Sequence, residues 1–248
     1  MTDPSELSHD AFLGGRLHLW QPLHGYRAGV DPVLLAATVE AEAGQSVLEL
    51  GCGVGAAILC LGTRVPGLHL TGVERQADYA ALARRNAGDA MTVVESDIAS
   101  LPLSVRQQQF DHVLANPPYY RRSASVAAHD PAREEALAEV TPLHLWVEVA
   151  AKRLAPKGYA HFIHRAERLP DLLRALPHDI GSAEVLPISP RAGRDAELVI
   201  LRGRKNGRGA FRLHPPCVMH EGARHLADGD SYVPAIQAVL RDGAPLRF

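Results

Sequence analysis

Apolar positions in this chain fall into short blocks divided by glycine, proline and charged residues, and their period changes from block to block. "SVLELGCG" (46–53) is an apolar run ending in glycines, and in "AAILCLGTRV" (56–65) apolar residues recur at helical spacing. These predict a strand, a tight turn and a helix. "LHLTGVE" (68–74) predicts a second strand, "ADYAALARRNA" (77–87) a helix, "MTVVESD" (91–97) a third strand and "FDHVLAN" (110–116) a fourth. A helical pattern over 131–156 carries Pro142, which predicts an interruption or kink; "LAPKGY" stops it before a fifth strand at 159–165.

A helix at 167–176 and strands at 182–190 and 196–205 complete the series. Alternation of this kind predicts an α/β fold: a doubly wound, mostly parallel sheet of seven strands, with ligands at the carboxyl ends. The last two strands have no helix between them, so they are expected to form an antiparallel edge hairpin through "RAGRDA" (191–196). The expected division is an N-terminal segment (1–45) covering the ligand site, a core (46–206) and a C-terminal extension (207–248) packed on it.

Composition narrows the setting. No apolar run approaches bilayer length, and the start "MTDPSELSHD" is acidic and polar, unlike a signal peptide, so the expected location is the cytoplasm. Three cysteines without a CxxC pair suggest neither a disulfide frame nor a thiolate metal site. A net charge of -2 gives no global pull on nucleic acid, so a polyanionic partner must meet a local patch.

Chemistry begins at "ELGCGVGA" (49–56), where Gly51, Gly53 and Gly55 let the first strand turn tightly into the first helix. The helix N-terminus behind them invites an anionic group. The stretch also satisfies the dinucleotide pattern G-x-G-x-x-G/A, and Glu74 at the second strand's end suits two ribose hydroxyls. Both features serve NAD and S-adenosylmethionine alike. Asp97, ending the third strand, is placed to read an adenine amine.

The fourth strand ends in Asn116-Pro117-Pro118-Tyr119, a stiff turn poor in backbone donors. The Asn116 carbonyl and the Pro117 backbone carbonyl are suited to accept both protons of a planar amino group, with Tyr119 stacked on the same plane. Such a nitrogen is a poor nucleophile because its lone pair is delocalised; two acceptors that hold it tetrahedral aim that lone pair at a methyl sulfonium. Hydride transfer needs no such device, which favours S-adenosylmethionine over NAD.

At these residues the chain resembles the class I S-adenosylmethionine-dependent methyltransferases with an N-P-P-Y motif. With "LGGRLHLWQPLHGYRAGVDPVLLAA" (13–37), "HRAERL" (164–169) and "PRAGR" (190–194), it is similar over nearly its whole length to the bacterial tRNA adenine-N6 methyltransferase family. Characterised members of that family modify the adenine next to the anticodon of a valine tRNA. The resemblance implies a Rossmann-like class I core and a cofactor site of Glu49, Gly51, Gly53, Gly55, Glu74, Asp97 and Asn116, covered by a segment carrying Arg27 and Asp31. It implies a catalytic turn of Asn116, Pro117, Pro118 and Tyr119, and a tRNA substrate.

Two other activities share the turn: N5-methylation of a release-factor glutamine, whose enzymes usually carry a helical domain ahead of the cofactor turn, and N2-methylation of rRNA guanine. Only 48 residues precede Glu49, which favours nucleic acid. Phosphate contacts are expected from Arg121 and Arg122, with Tyr120 beside them, from Arg191 and Arg194, and from the "RGRKNGRG" cluster of Arg202, Arg204, Lys205 and Arg208. His161 and His164, three apart in a strand, point to opposite faces and so argue against a shared metal. Cys52 reads as a small filler in the turn.

Overall fold

The computed structural model describes residues 6–121, 138–139, 141–222 and 231–248, the side chains of 120, 121, 138 and 139 excepted. The middle strands are buried along nearly their whole length because they are covered on both faces. β3 (Ser46–Leu50) leads through the glycine turn into α2 (Ala56–Arg64), β4 (His69–Glu74) into α3 (Ala77–Ala87), and β5 (Met91–Glu95) through α4 (Leu103–Arg106) into β6 (Phe110–Ala115). α5 (Leu143–Arg153) precedes β9 (Leu154–Arg165), and α6 (Leu169–Ala175) precedes β10 (Ile180–Arg191) and β11 (Leu198–Lys205).

The main sheet runs β10-β11-β9-β6-β3-β4-β5, parallel from β9 to β5 and antiparallel at β11 and β10. Those are the seven strands expected. The hairpin, however, is not the bare edge. β12 (Arg212–Leu213) and β13 (Cys217–His220) lie parallel along β10, so the sheet has nine strands and the stretch after 206 adds to it. The physical reason is the length of β10, whose twelve residues would otherwise leave a long row of unpaired backbone groups.

Neighbouring residues feed opposite cores. Ile163 and Ile200 join Leu34, Leu35 and Ile58 on one face, whereas Phe162 and Leu201 join Phe110 and Val113 on the other. Each fully buried side chain of this size stabilises the fold by about 1.5–3 kcal/mol.

The 131–156 helix reading is corrected in part. Pro142 is the N-cap of α5, since a proline ring tolerates only the first turn of a helix, and Ala138–Glu139 is the extended strand β8, paired parallel with β7 (Tyr120–Arg121). Residues 131–137 and 140 lie outside the described residues.

Ahead of the core, β1 (Leu7–Phe12) and β2 (Leu17–Pro22) form a hairpin that the sequence reading had not resolved, followed by α1 (Asp31–Ala37) with Pro32 in its first turn. Asn86 on α3 fastens the hairpin: its side chain pairs with both backbone groups of Trp20 and donates to the Val54 carbonyl. From the other end, Ile236 of α7 (Pro234–Gln237) and Val239 enter the same core, and Leu246 N–H donates to the Ala37 carbonyl at 2.9 Å. Among the described residues no helix is long and apolar enough to cross a membrane.

Candidate active site

The carboxyl ends of β3, β4, β5 and β6 open onto one cleft, continuous with solvent. Gly51 and Gly53 form its floor with φ of 65° and 55°, a region that disfavours side chains. Space enforces the first glycine as well, because a Cβ on Gly51 would come within 2.6 Å of the Trp146 ring. Glu74 closes the turn from the next strand. Gly53 N–H donates to its Oε2 at 2.9 Å and Gln76 N–H to its Oε1 at 2.8 Å. A carboxylate has about four acceptor sites, so both oxygens keep capacity for a ligand's hydroxyls.

Glu49 and Gly55 correct the sequence reading. Glu49 is 3% exposed, does not line the cleft, and accepts the Ile58 N–H in the first turn of α2. The place at that helix start is therefore taken by the chain's own side chain. Burial pushes the Glu49 carboxyl up to about 8. Gly55 is the left-handed N-cap of α2, packed toward Leu59 and Met91 rather than on the cleft wall.

Across the floor stands the Asn-Pro-Pro-Tyr turn. Leu50 and Ala115 are paired in the sheet, so the two turns leave adjacent strands at the same level. Asn116, Pro117, Pro118 and Tyr119 all line the cleft. Asn116 Nδ2 donates to the Tyr26 hydroxyl at 3.4 Å, which leaves its Oδ1 as the acceptor for a guest. The Tyr119 hydroxyl donates to Asp31 Oδ2 at 2.6 Å. Burial first, and then the Asp31 carboxylate, push both phenols upward, so each keeps its proton.

The segment supplying Tyr26 and Asp31 is itself tied down. Gln21 accepts the Ala28 N–H at 2.7 Å and donates to Asp10, and Tyr79 exchanges hydrogen bonds with both backbone groups of Tyr26. Arg27 sits on this segment but pairs with Asp10 at 2.7 Å and does not line the cleft. Asp31, Glu74 and Asp97 do line it, and Asp97 also caps the Ala99 N–H.

Sequence reasoning missed Tyr26, Tyr79, Thr141 and Trp146 on the wall. Tyr26 lay inside the quoted 13–37 stretch, whereas Tyr79 and Trp146 sit at ordinary helix positions that carry no signal.

The basic clusters divide. Arg191 is 8% exposed and donates to the Glu221 and Gly222 carbonyls, so it is no surface phosphate contact. Arg202 pairs with Glu40 and Glu184, Arg204 donates to the Lys157 carbonyl, and Lys205 pairs with Asp179; the fold itself uses these three cations. Arg194 and Arg208 are exposed. The side chains of Tyr120 and Arg121 and the whole of Arg122 lie outside the described residues. His161 pairs with His112 at 3.3 Å while His164 faces the Tyr119 ring, with centroids 5.2 Å apart. Among the described residues no three His, Cys, Asp or Glu side chains group to hold a metal.

The wall fits S-adenosylmethionine better than a dinucleotide. Three carboxylates suit a ligand with hydroxyls, an amine and a sulfonium, and the α2 turn where a pyrophosphate would sit already holds Glu49.

Comparison with known proteins agrees. The model of the family described as methyltransferase small domain matches residues 28–173. Two Porphyromonas gingivalis proteins named tRNA1(Val) (adenine(37)-N6)-methyltransferase are 33% and 32% identical to the chain over 66% and 59% of its length. The matches span 68% and 61% of those relatives. A Shewanella baltica protein of the same name is 27% identical over 77% of this chain and 82% of its own.

Among solved structures, one described as a predicted O-methyltransferase from Agrobacterium tumefaciens superposes with a TM-score of 0.71 at 23% identity, covering 88% of this chain and all but 1% of that one (99%). The Thermus thermophilus 16S rRNA N2 G1207 methyltransferase, in complex with AdoMet and guanosine, gives 0.55 at 20% identity over 80% of this chain and 50% of that one. These two show the fold. The chain belongs to the methyltransferase small domain family, on the fold of the class I S-adenosylmethionine-dependent methyltransferases.

Proposed function

We propose that this protein methylates the exocyclic N6 of an adenine in tRNA, next to the anticodon, with S-adenosylmethionine as methyl donor, and that it works in the cytoplasm. The observation that carries the chemistry is the Asn116 side chain, whose Nδ2 is engaged by Tyr26 so that Oδ1 is presented to the cleft. The choice of tRNA and of the base rests on the names of the relatives above.

When bound, S-adenosylmethionine supplies an activated methyl group. Gly51 and Gly53 would give its floor, Glu74 would take its ribose hydroxyls, Asp97 would meet its adenine amine and Asp31 would lie toward its methionine end, all five lining the cleft. Asn116 Oδ1 and the Pro117 carbonyl hold the two protons of the target amine and keep its lone pair out of conjugation. Tyr119 supplies the flat surface for the base, its ring fixed through the hydroxyl bond to Asp31. The proton shed by the amine passes to water at Asn116 Oδ1, without a strong base. The target adenine must leave its stack to reach this turn, so exposed arginines around the mouth are expected to hold neighbouring phosphates.

The test offers unmodified total tRNA and a release factor in parallel, with labelled S-adenosylmethionine. Label in the tRNA fraction is the expected result; label in the release factor would overturn the substrate assignment while leaving the amine-holding turn in place.

A further inference from the structure

The segment "HRAERL" (164–169) carries two arginines with different fates. Arg168 is 7% exposed and pairs with Asp171 at 2.9 Å, a structural use. Arg165 is half-buried, and its guanidinium has no hydrogen-bond or ion-pair partner among the described residues. None of its guanidinium nitrogens is a sealed, unpartnered atom, so the cation stays open to solvent and available to a partner outside the fold.

Its position says what that partner is. β9 lies beside β6, with Ala115 paired to Phe162, so Arg165 stands three residues further along β9 from the level at which the Asn-Pro-Pro-Tyr turn departs. On its other side Arg165 is paired with Leu198, and Ala166 N–H donates to the Glu197 carbonyl, which brings the 191–197 turn with exposed Arg194 to the same sheet end. The charge of Arg165 is felt at Tyr119, where it opposes the upward push from burial and Asp31. Arg165 does not line the cleft itself. It therefore sits outside the room for the base and cofactor yet next to the residue that receives the base.

We propose that Arg165 is a phosphate-binding residue of the RNA interface, taking a backbone phosphate beside the nucleotide whose base enters the cleft, with Arg194 continuing the contact outward. This deepens the tRNA reading and rests on it. A guanidinium forms two parallel hydrogen bonds to phosphate oxygens, which fixes orientation as well as adding affinity. The acidic neighbours Asp195 and Glu197 on the same turn limit the contact to a single phosphate rather than a broad basic track.

The experiment measures binding of unmodified total tRNA by the full chain across a series of KCl concentrations, together with S-adenosylmethionine affinity, for the wild type, Arg165→Gln and Arg165→Lys. Loss of one phosphate contact predicts about tenfold weaker tRNA binding for Arg165→Gln near 0.1 M salt. It also predicts a slope of log affinity against log salt smaller by about one, with cofactor affinity unchanged. Arg165→Lys keeps the charge and is expected to keep the slope. An unchanged slope in Arg165→Gln overturns the inference, and so does a loss of cofactor affinity instead, which would assign Arg165 to the carboxylate of the methionine end. A wild type that binds no tRNA overturns the tRNA reading and this inference together; a wild type that binds while Arg165→Gln matches it overturns the inference alone.

Discussion

The glycine turn at 51–55 and the Asn-Pro-Pro-Tyr turn at 116–119 leave adjacent strands and share one cleft, yet they are held in opposite ways. The first is shaped by its own backbone and by Glu74 at the end of the neighbouring strand, which accepts from Gly53, with the Trp146 ring of α5 serving only to leave Gly51 no room for a Cβ. The second relies on side chains from far along the chain, Tyr26 on Asn116 and Asp31 on Tyr119, at separations of 90 and 88 residues. The contrast separates binding from chemistry. A ligand floor needs only a fixed backbone, whereas an acceptor aimed at an amine needs its rotamer fixed from outside.

The largest expected effect lies in the second turn. Asn116→Ala removes the amine's acceptor and nothing from the floor, so turnover should fall by about 10^2- to 10^4-fold with cofactor affinity retained in a binding titration. Near-normal turnover would break the comparison at its centre.

Gly51→Ala tests the other side. A side chain there faces both a left-handed φ of 65° and the Trp146 ring, so a destabilisation of about 2 kcal/mol or more is expected in thermal unfolding, with weakened cofactor binding. Unchanged stability would mean that the turn is not shaped as described.

Tyr119→Phe is milder and more specific. It keeps the ring and deletes the bond to Asp31, so a three- to tenfold loss in kcat/KM, about 1 kcal/mol, is expected without loss of stability or cofactor affinity. An equal loss of cofactor affinity would show that the two turns are not separable.

The last effect sits beneath the floor and is read in stability alone. Burial raises the Glu49 carboxyl from an ordinary 4.5 to about 8, so the folded state holds a proton that the unfolded chain has released. Its contribution is full below pH 4.5 and is lost as pH rises toward 8. Glu49→Gln keeps an acceptor for Ile58 and has no proton to lose, so urea midpoints at pH 5 and pH 8 should converge relative to the wild type. Parallel pH dependence in the two proteins would contradict the burial account.

The same contrast explains what could be read from the sequence. Glycine spacing, strand ends and the proline pair are local signals, and they placed Gly51, Gly53, Glu74, Asp97 and residues 116–119 around the cleft that the structure shows. Glu49 was misplaced because a carboxylate in a cofactor motif looks the same whether it faces the ligand or turns inward to a helix N–H. Tyr26 and Trp146 escaped because their meaning comes from tertiary proximity to Asn116 and Gly51. The basic clusters misled for a related reason: Arg191 and Arg202 read as surface charge, but carbonyls and carboxylates distant in sequence claim them. The edge strands β12 and β13 carry too few residues for a periodicity to register.

The most direct test of the account is nucleoside mass spectrometry on unmodified tRNA after incubation with labelled S-adenosylmethionine and either wild-type protein or Asn116→Ala. Labelled N6-methyladenosine from the wild type and none from the variant is the predicted result. Labelled N2-methylguanosine, or N6-methyladenosine formed equally well by the variant, would contradict it.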